Sequence, residues 1–397
     1  MENEITVVIG GGAAGICAAI SRKRLGGQVI ICEKTVRIGK KLLVTGNGRC
    51  NLSNDTLNET CYNLPARNLV KAVFGRFGKD DILKFFHELG LYVYSQDGRI
   101  FPVTNQASSV LNVLEMELSR LQVSIEYDFD CATVTPGKNG FIVTSRQGKK
   151  IKCDKVIITG GGKSYPTFGS DGNIYDIAKK LGHTIIEPVP CAVPLDSKDR
   201  LCHLLQGQRI TAIVKSVIQG KESSGVSGEL LFTKYGLSGT CILDISESVS
   251  IAINRNHLAP VFVAADLIPF LDKAELTNEL LRRKSAGYTA SEMLTGILPA
   301  KLCAALRDIF TQRGMEDTVD ALKNYRFKIT GTRGWNEAEF TAGGINTREI
   351  DAATLQSKMV DGVYFAGEVL DVNGKRGGYN LAWAWASGMV SGQLNRS

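Results

Sequence analysis

The stretch Ile5-Thr6-Val7-Val8-Ile9-Gly10-Gly11-Gly12-Ala13-Ala14-Gly15 decides the fold class. Ile5 to Ile9 is a short apolar run, as expected of a parallel strand buried on both faces. An alanine-rich helical stretch follows from about Ala13 to Leu25. Gly26-Gly27 ends it, and Val29-Ile30-Ile31-Cys32 supplies a second strand. In the turn between strand and helix, Gly10 makes the tight bend, Gly12 lets the backbone approach a pyrophosphate, and Gly15 lets helix and strand pack closely. The helix N-terminus offers unpaired N–H groups and its positive dipole end to phosphates. Glu33 closes the second strand, where a carboxylate accepts hydrogen bonds from ribose hydroxyls. Strand, turn, helix and acid in this order meet the context that a dinucleotide fingerprint requires. The fingerprint alone does not separate NAD from FAD.

Two further buried-strand signals lie far along the chain. Val156-Ile157-Ile158-Thr159 runs into Gly160-Gly161-Gly162, and Gly362 to Gly367 precedes a C-terminal helix expected from about Leu381. Helices are expected near 78–90 and 107–121, and alternating segments at 123–127 and 141–146 suggest a β-meander. Residues 208–268 read as several short strands, and 272–323 as successive helices. The expected organisation is one α/β nucleotide-binding domain, 1–190 with 340–397, interrupted by an insert. The insert has a β part, 191–270 plus about 325–339, and a helical part, 271–324.

With 397 residues the chain exceeds one ordinary core, in keeping with that division. Its 44% hydrophobic and 22% charged residues are those of a globular protein. No run approaches the ~20 apolar residues of a membrane helix. Glu2 and Glu4 ahead of a strand do not make a signal peptide, so a cytoplasmic location is the expectation. The ten cysteines include no C-x-x-C, and His87, His183, His203 and His257 have no metal-ligand spacing. No metal site is expected, and the thiols read as small buried hydrophobes in a reducing compartment. His183 reads as structural. The net charge of +7 is split among short basic clusters, Lys40-Lys41 among them, with no basic-aromatic platform. Nucleic acid is therefore not the expected partner.

Two polar segments carry the remaining chemistry. Gly39 to Asn51, with Gly46-Asn47-Gly48-Arg49-Cys50-Asn51 at its end, is punctuated by glycines that permit close approach to a planar ring. The run from Phe365 to Leu381 delivers acids at the carboxyl end of a strand, where ligands of open α/β sheets bind. Asp371 can hold a ribityl hydroxyl there. The helix behind it points its positive end at the negative edge of a reduced flavin. Trp383 and Trp385 read as core packing.

Together the glycine loop, Gly46 to Asn51, and Gly367-Glu368-Val369-Leu370-Asp371 with Gly377-Gly378-Tyr379-Asn380 resemble the BaiN-like flavoproteins, a family with aminoacetone oxidase-like members. The resemblance extends to Gly160 to Pro166, Gly169 to Gly172, Leu181-Gly182-His183, Gly228 to Thr233 and Tyr235 to Gly239, and so covers almost the whole chain. Lys234 departs from it, since many members carry histidine there, and no role is carried over to that side chain.

The resemblance implies a glutathione-reductase-like FAD-binding Rossmann fold, with a β-barrel domain and a helical subdomain inserted before the last FAD segment. It also implies non-covalent FAD. Its implied contacts are Gly10, Gly12, Gly15, Glu33, Lys41 and Gly46 to Asn51, with Asp371, Asn380 and Leu381 at the isoalloxazine end and Cys131 at adenine. The wider set adds Ala13, Ala14, Lys34, Thr45, Thr159, Gly160, Gly161, Gly367, Glu368, Gly378 and Tyr379. The implied reaction is hydride transfer at flavin N5. One direction is reduction of an activated C=C bond in a small organic or steroid-like substrate, with FAD first reduced by NADH or NADPH. The other is oxygen-dependent oxidation of an amine such as aminoacetone. A flavin-bound regulator or nucleic-acid-associated protein is the alternative of another class. With one fingerprint and no paired cysteines, a nicotinamide must share the flavin face with substrate or bind the insert. Arg49 and Tyr379 are the candidate catalytic groups, and Ser164, Tyr165 and Tyr235 are candidates for a substrate cavity.

Overall fold

The computed structural model describes residues 4–394. The chain divides into two compact units, Met1–Pro188 with Glu339–Ser397, and Val189–Ala338.

The first unit is a Rossmann-type α/β domain. Its sheet comprises β1 (Ile5–Ile9), β2 (Gln28–Cys32), β3 (Ser124–Glu126), β4 (Lys155–Ile158) and β5 (Val363–Phe365), in the order β5-β4-β1-β2-β3. All pairings are parallel; Val7, at the centre, sits between Ile30 and Val156. Val7, Val8, Ile31, Val156 and Ile157 are fully buried, the reason these strands read as unbroken apolar runs. Residues 124–126 therefore belong to the parallel sheet and not to the meander expected from their alternation. As the edge strand they are half-exposed, and that exposure produces the alternation. The meander is formed by Cys131–Gly137, Gly140–Ser145 and Lys150–Cys153.

Helix α1 (Ala13–Arg24) crosses from β1 to β2 and packs against α2 (Tyr379–Gly392). Small residues bring the two backbones together. A Cβ on Gly388 would lie 2.3 Å from the Ala14 carbonyl oxygen, and one on Gly392 would lie 2.3 Å from that of Ala18. Gly388→Ala is expected to destabilise the protein by about 3 kcal/mol, because backbone must move to admit the methyl. An unchanged thermal unfolding midpoint would refute this. Trp383 and Trp385 are buried in α2, and their indole N–H groups donate to the Gly367 and Leu52 carbonyls at 3.1 Å each.

In the second unit, strands Arg209–Ile218, Val226–Thr233, Gly236–Ser238, Leu195–Ser197, Tyr325–Thr332 and Val261–Asp266 pair in that order. The last pairs back to the first, closing the circuit of hydrogen bonds. Residues 208–268 are not strands throughout, because Thr240–Ser250 is a helix. Ile242, Ile245 and Val249 recur at helical spacing and bury one face, overriding the strand preference of β-branched residues. Helices occupy Lys273–Ser285, Ala300–Leu306, Ile309–Gln312 and Met315–Lys323, and they share one buried cluster with the strands.

Candidate functional site

A cleft with about 1300 Å³ of empty space, its mouth included, opens at the carboxyl ends of the parallel strands. Its floor is the turn after β1. There Gly10 adopts φ +104°, and a Cβ would meet the Thr159 carbonyl at 2.8 Å. Gly15 sits under the turn, where a Cβ would lie 1.9 Å from the Gly10 carbonyl oxygen. A Cβ on Gly12 would meet nothing within 4 Å. The Thr159 hydroxyl reaches the Ile9 and Gly10 carbonyls at 2.9 and 2.8 Å and holds the turn against β4. Helix α1 has no side-chain cap at Gly12 and no acid in its first turn. Its N-terminal amides are thus not engaged by a carboxylate or hydroxyl cap of the chain itself.

Glu33 stands at the end of β2, accepting from the Gly11 amide at 2.8 Å and the Thr35 amide at 2.9 Å. Lys34 beside it pairs with Asp171 at 2.8 Å. Phe129, Asp130 and Cys131 line the same end, with Phe168, Gly169 and Ser170 facing the cleft from the segment after β4. Burial pushes the Cys131 thiol up to about 12, so it remains a neutral wall group. Lys41 and Glu368, both lining the cleft, form an ion pair of 2.5 Å, joined by buried Ser164. Burial raises the Glu368 carboxyl pKa, but Lys41, Ser164 and the Thr341 amide more than offset it and hold it below the usual carboxylate range. At the far end stand Phe340, Val372, Asn380 and Leu381, the last two on the first turn of α2. Glu339 also lines this end and is held by a bidentate pair with Arg376 at 2.9 Å.

Of the residues singled out by sequence, Gly10, Gly12, Ala13, Ala14, Glu33, Lys34, Lys41, Thr45, Cys131, Thr159, Gly160, Gly161, Gly367, Glu368, Asn380 and Leu381 line this cleft. Gly15, Gly46 to Asn51, Asp371, Gly378 and Tyr379 are not among its lining residues. Asp371, expected at a ribityl hydroxyl, is buried and accepts the Gly343 amide at 3.0 Å. Arg49 stacks on Phe101, its guanidinium carbon 4.3 Å from the ring centroid. Asn47 and Cys50 take left-handed φ values of 56° and 58°, with Cys50 fully buried. Tyr379 is tied into the protein, its hydroxyl 2.8 Å from the Thr56 hydroxyl and its carbonyl accepting from Tyr62 at 2.7 Å. Burial raises the Tyr379 pKa. The Tyr379 hydroxyl and carbonyl are thus held by Thr56 and Tyr62. Tyr165 packs on Phe168, Tyr235 lies under Arg333 in the second unit, and Lys234 is exposed. The sequence reading missed Glu339, Phe340, Thr341 and Arg376. No local pattern marks Glu339, Phe340 and Thr341, which come from a separate segment at the start of the strand Phe340–Ile345, and Arg376 meets Glu339 only through the fold.

His183 is buried outside the cleft. Its Nδ1 lies 3.1 Å from Glu349 and its Nε2 2.7 Å from the Ser357 hydroxyl, with the ring edge-on to Phe365. The Ser357 oxygen already accepts from the Met359 and Val360 amides, so its hydrogen points to Nε2 and Nδ1–H donates to Glu349. Burial holds the His183 pKa below 6.5 despite Glu349. Folding thus favours the neutral ring. The associated stability is fully present above pH 6.5 and is lost as pH falls from there through the lowered folded value. His183→Gln is expected to flatten the stability–pH slope just below pH 6.5; an equal slope in both proteins would count against it.

Residues 4–394 match the family model described as HI0933-like protein Rossmann domain. The chain belongs to that family. A 3-dehydro-bile acid delta(4,6)-reductase of Clostridium scindens is 36% identical over 97% of this chain and 97% of its own. A ribosomal RNA dihydrouridine synthase of Escherichia coli is 28% identical, over 99% of this chain and 98% of its own. In fold, the chain is similar to a 3-ketosteroid delta1-dehydrogenase from Sterolibacterium denitrificans, with a TM-score of 0.50, 12% identity and 99% of each chain covered. Family and relatives agree with the cleft: this is an FAD-dependent oxidoreductase. Among the described residues, no helix is long and apolar enough to cross a membrane.

Proposed function

We propose that the protein binds FAD non-covalently along this cleft and uses it to reduce a C=C bond conjugated with a carbonyl in a small, steroid-like substrate, with NADH or NADPH as electron donor. The carrying observation is a whole-length relative named as a bile-acid reductase, combined with a cleft built around the dinucleotide turn. The residues fit the cofactor. The backbone at Gly12 is bare toward open space, the α1 amides face the pyrophosphate position, and Glu33 suits the adenosine ribose. Cys131, and Asn380 and Leu381 on the first turn of α2, line the same cleft, which supports their assignment to adenine and to the isoalloxazine ring.

Bound FAD supplies the hydride at its N5 atom. The chain's own part is to orient and enclose. Asn380 exchanges two hydrogen bonds with the Gly374 backbone, at 2.8 and 2.9 Å, and so fixes the turn that precedes α2. Glu339, held by Arg376, is an acceptor of fixed orientation near the same end.

A second reading shares this chemistry, because forming dihydrouridine also saturates a C=C bond conjugated with a carbonyl. It is favoured by the relative named as a ribosomal RNA dihydrouridine synthase. Mixing the purified protein with NADH or NADPH without oxygen should bleach the flavin, and a 3-oxo-4,6-diene bile acid should restore its colour. Recolouring only by unmodified ribosomal RNA would move the assignment to the second reading. Peroxide release with an amine and oxygen, without bleaching by either nicotinamide, would overturn both.

A further inference from the structure

Lys41 and Glu368 line the cleft as a partly buried ion pair. Glu368 accepts from Lys41 at 2.5 Å, from the Ser164 hydroxyl at 2.9 Å and from the Thr341 amide at 2.8 Å. Lys41 also donates to the Ser164 oxygen at 2.5 Å. Its side chain and that of Glu368 are only 25% and 22% exposed, and Ser164 is fully buried. Partial desolvation of two charges is costly, and a hydrophobic pair of similar size often serves stability as well. The arrangement therefore calls for a functional reason.

The hydrogen-bond inventory supplies one. An ammonium has three donors, and Ser164 and Glu368 take two of those on Lys41. The third is aimed by the other two, and Lys41 lines the cleft. A phosphate is a poor partner for that donor, since Glu368 beside it carries like charge. A ligand edge that is neutral at first and becomes negative later is a good one. The redox ring of a flavin behaves this way: taking up two electrons and one proton adds one unit of negative charge.

Building on the FAD assignment made above, we propose that Lys41, oriented by Glu368 and Ser164, donates its third N–H to the redox ring of bound FAD and raises its reduction potential. Lys41 is thus a cofactor-tuning residue; Glu368 and Ser164 are positioning residues.

Potentiometry of the FAD-loaded protein tests this without reference to turnover. Lys41→Met should lower the midpoint potential by at least the equivalent of a tenfold change in the redox equilibrium, about 30 mV for a two-electron couple. Lys41→Arg, which keeps charge and donors, should stay within threefold of the parent. Glu368→Gln should shift the potential upward, because it removes a negative charge while its amide oxygen still accepts from Lys41. If Lys41→Met fails to retain FAD, Ser164→Ala provides the same test, with a smaller downward shift expected. Weaker FAD binding with an unchanged potential would place Lys41 at the pyrophosphate and overturn the proposal. An unmodified protein that takes up no FAD would instead sink the assignment on which it rests.

Discussion

Replacing Gly12 with glutamate is expected to weaken FAD binding at least about 100-fold, some 2.7 kcal/mol, while the fold survives. The fold survives because a Cβ at this position meets no atom within 4 Å. Binding is lost because the new carboxylate stands at the N-terminus of α1, where the helix has no capping side chain and no acid of its own. It would neutralise the positive end of the helix and repel the pyrophosphate. Fluorescence titration of apoprotein with FAD measures the loss, and thermal unfolding of the same apoprotein checks the fold. Native affinity in the Gly12→Glu variant would mean that the pyrophosphate lies elsewhere.

The second large effect belongs to the same turn and has the opposite cause. Gly15→Val should abolish FAD retention by breaking the protein itself. A Cβ there would lie 1.9 Å from the Gly10 carbonyl oxygen and 2.6 Å from the Thr159 hydroxyl oxygen. The nearest of these is backbone, so no side-chain rotation relieves the clash. Either α1 moves off the sheet or the turn opens, and the Thr159 hydrogen bonds to Ile9 and Gly10 are lost with it. Such overpacking costs about 3 kcal/mol or more, enough to depress the unfolding midpoint of the apoprotein as well. A Gly15→Val apoprotein as stable as the parent would contradict this packing. The two variants thus separate a glycine kept bare for a ligand from one kept bare for the fold.

Local order along the chain made much of this legible. Strand, turn, helix and acid between Ile5 and Glu33 form one contiguous unit, so their spacing reports their geometry. The apolar runs at 156–158 and 363–365 are short because both faces of each strand are covered, and that too is a local signal. Errors arose where burial, which is a tertiary property, set the pattern. Ser124 to Glu126 alternates because it is an edge strand of the parallel sheet, and Thr240 to Ser250 is β-rich in composition yet helical by the face it buries. The surroundings of Asp371 likewise depend on the fold. Both Glu368 and Asp371 follow β5, and only the fold turns the first to the cleft and the second to the Gly343 amide.

By itself the sequence determined the Rossmann unit, the dinucleotide turn and the acid at Glu33, because each depends on residues that are neighbours along the chain. Which charged groups meet in the cleft was a matter for the tertiary structure alone. Lys41, Ser164, Thr341 and Glu368 come from four separate segments, and so do not form any motif that spacing can reveal. Parallel strands that end side by side deliver their following loops to one edge, and that edge is where the ion pair is assembled.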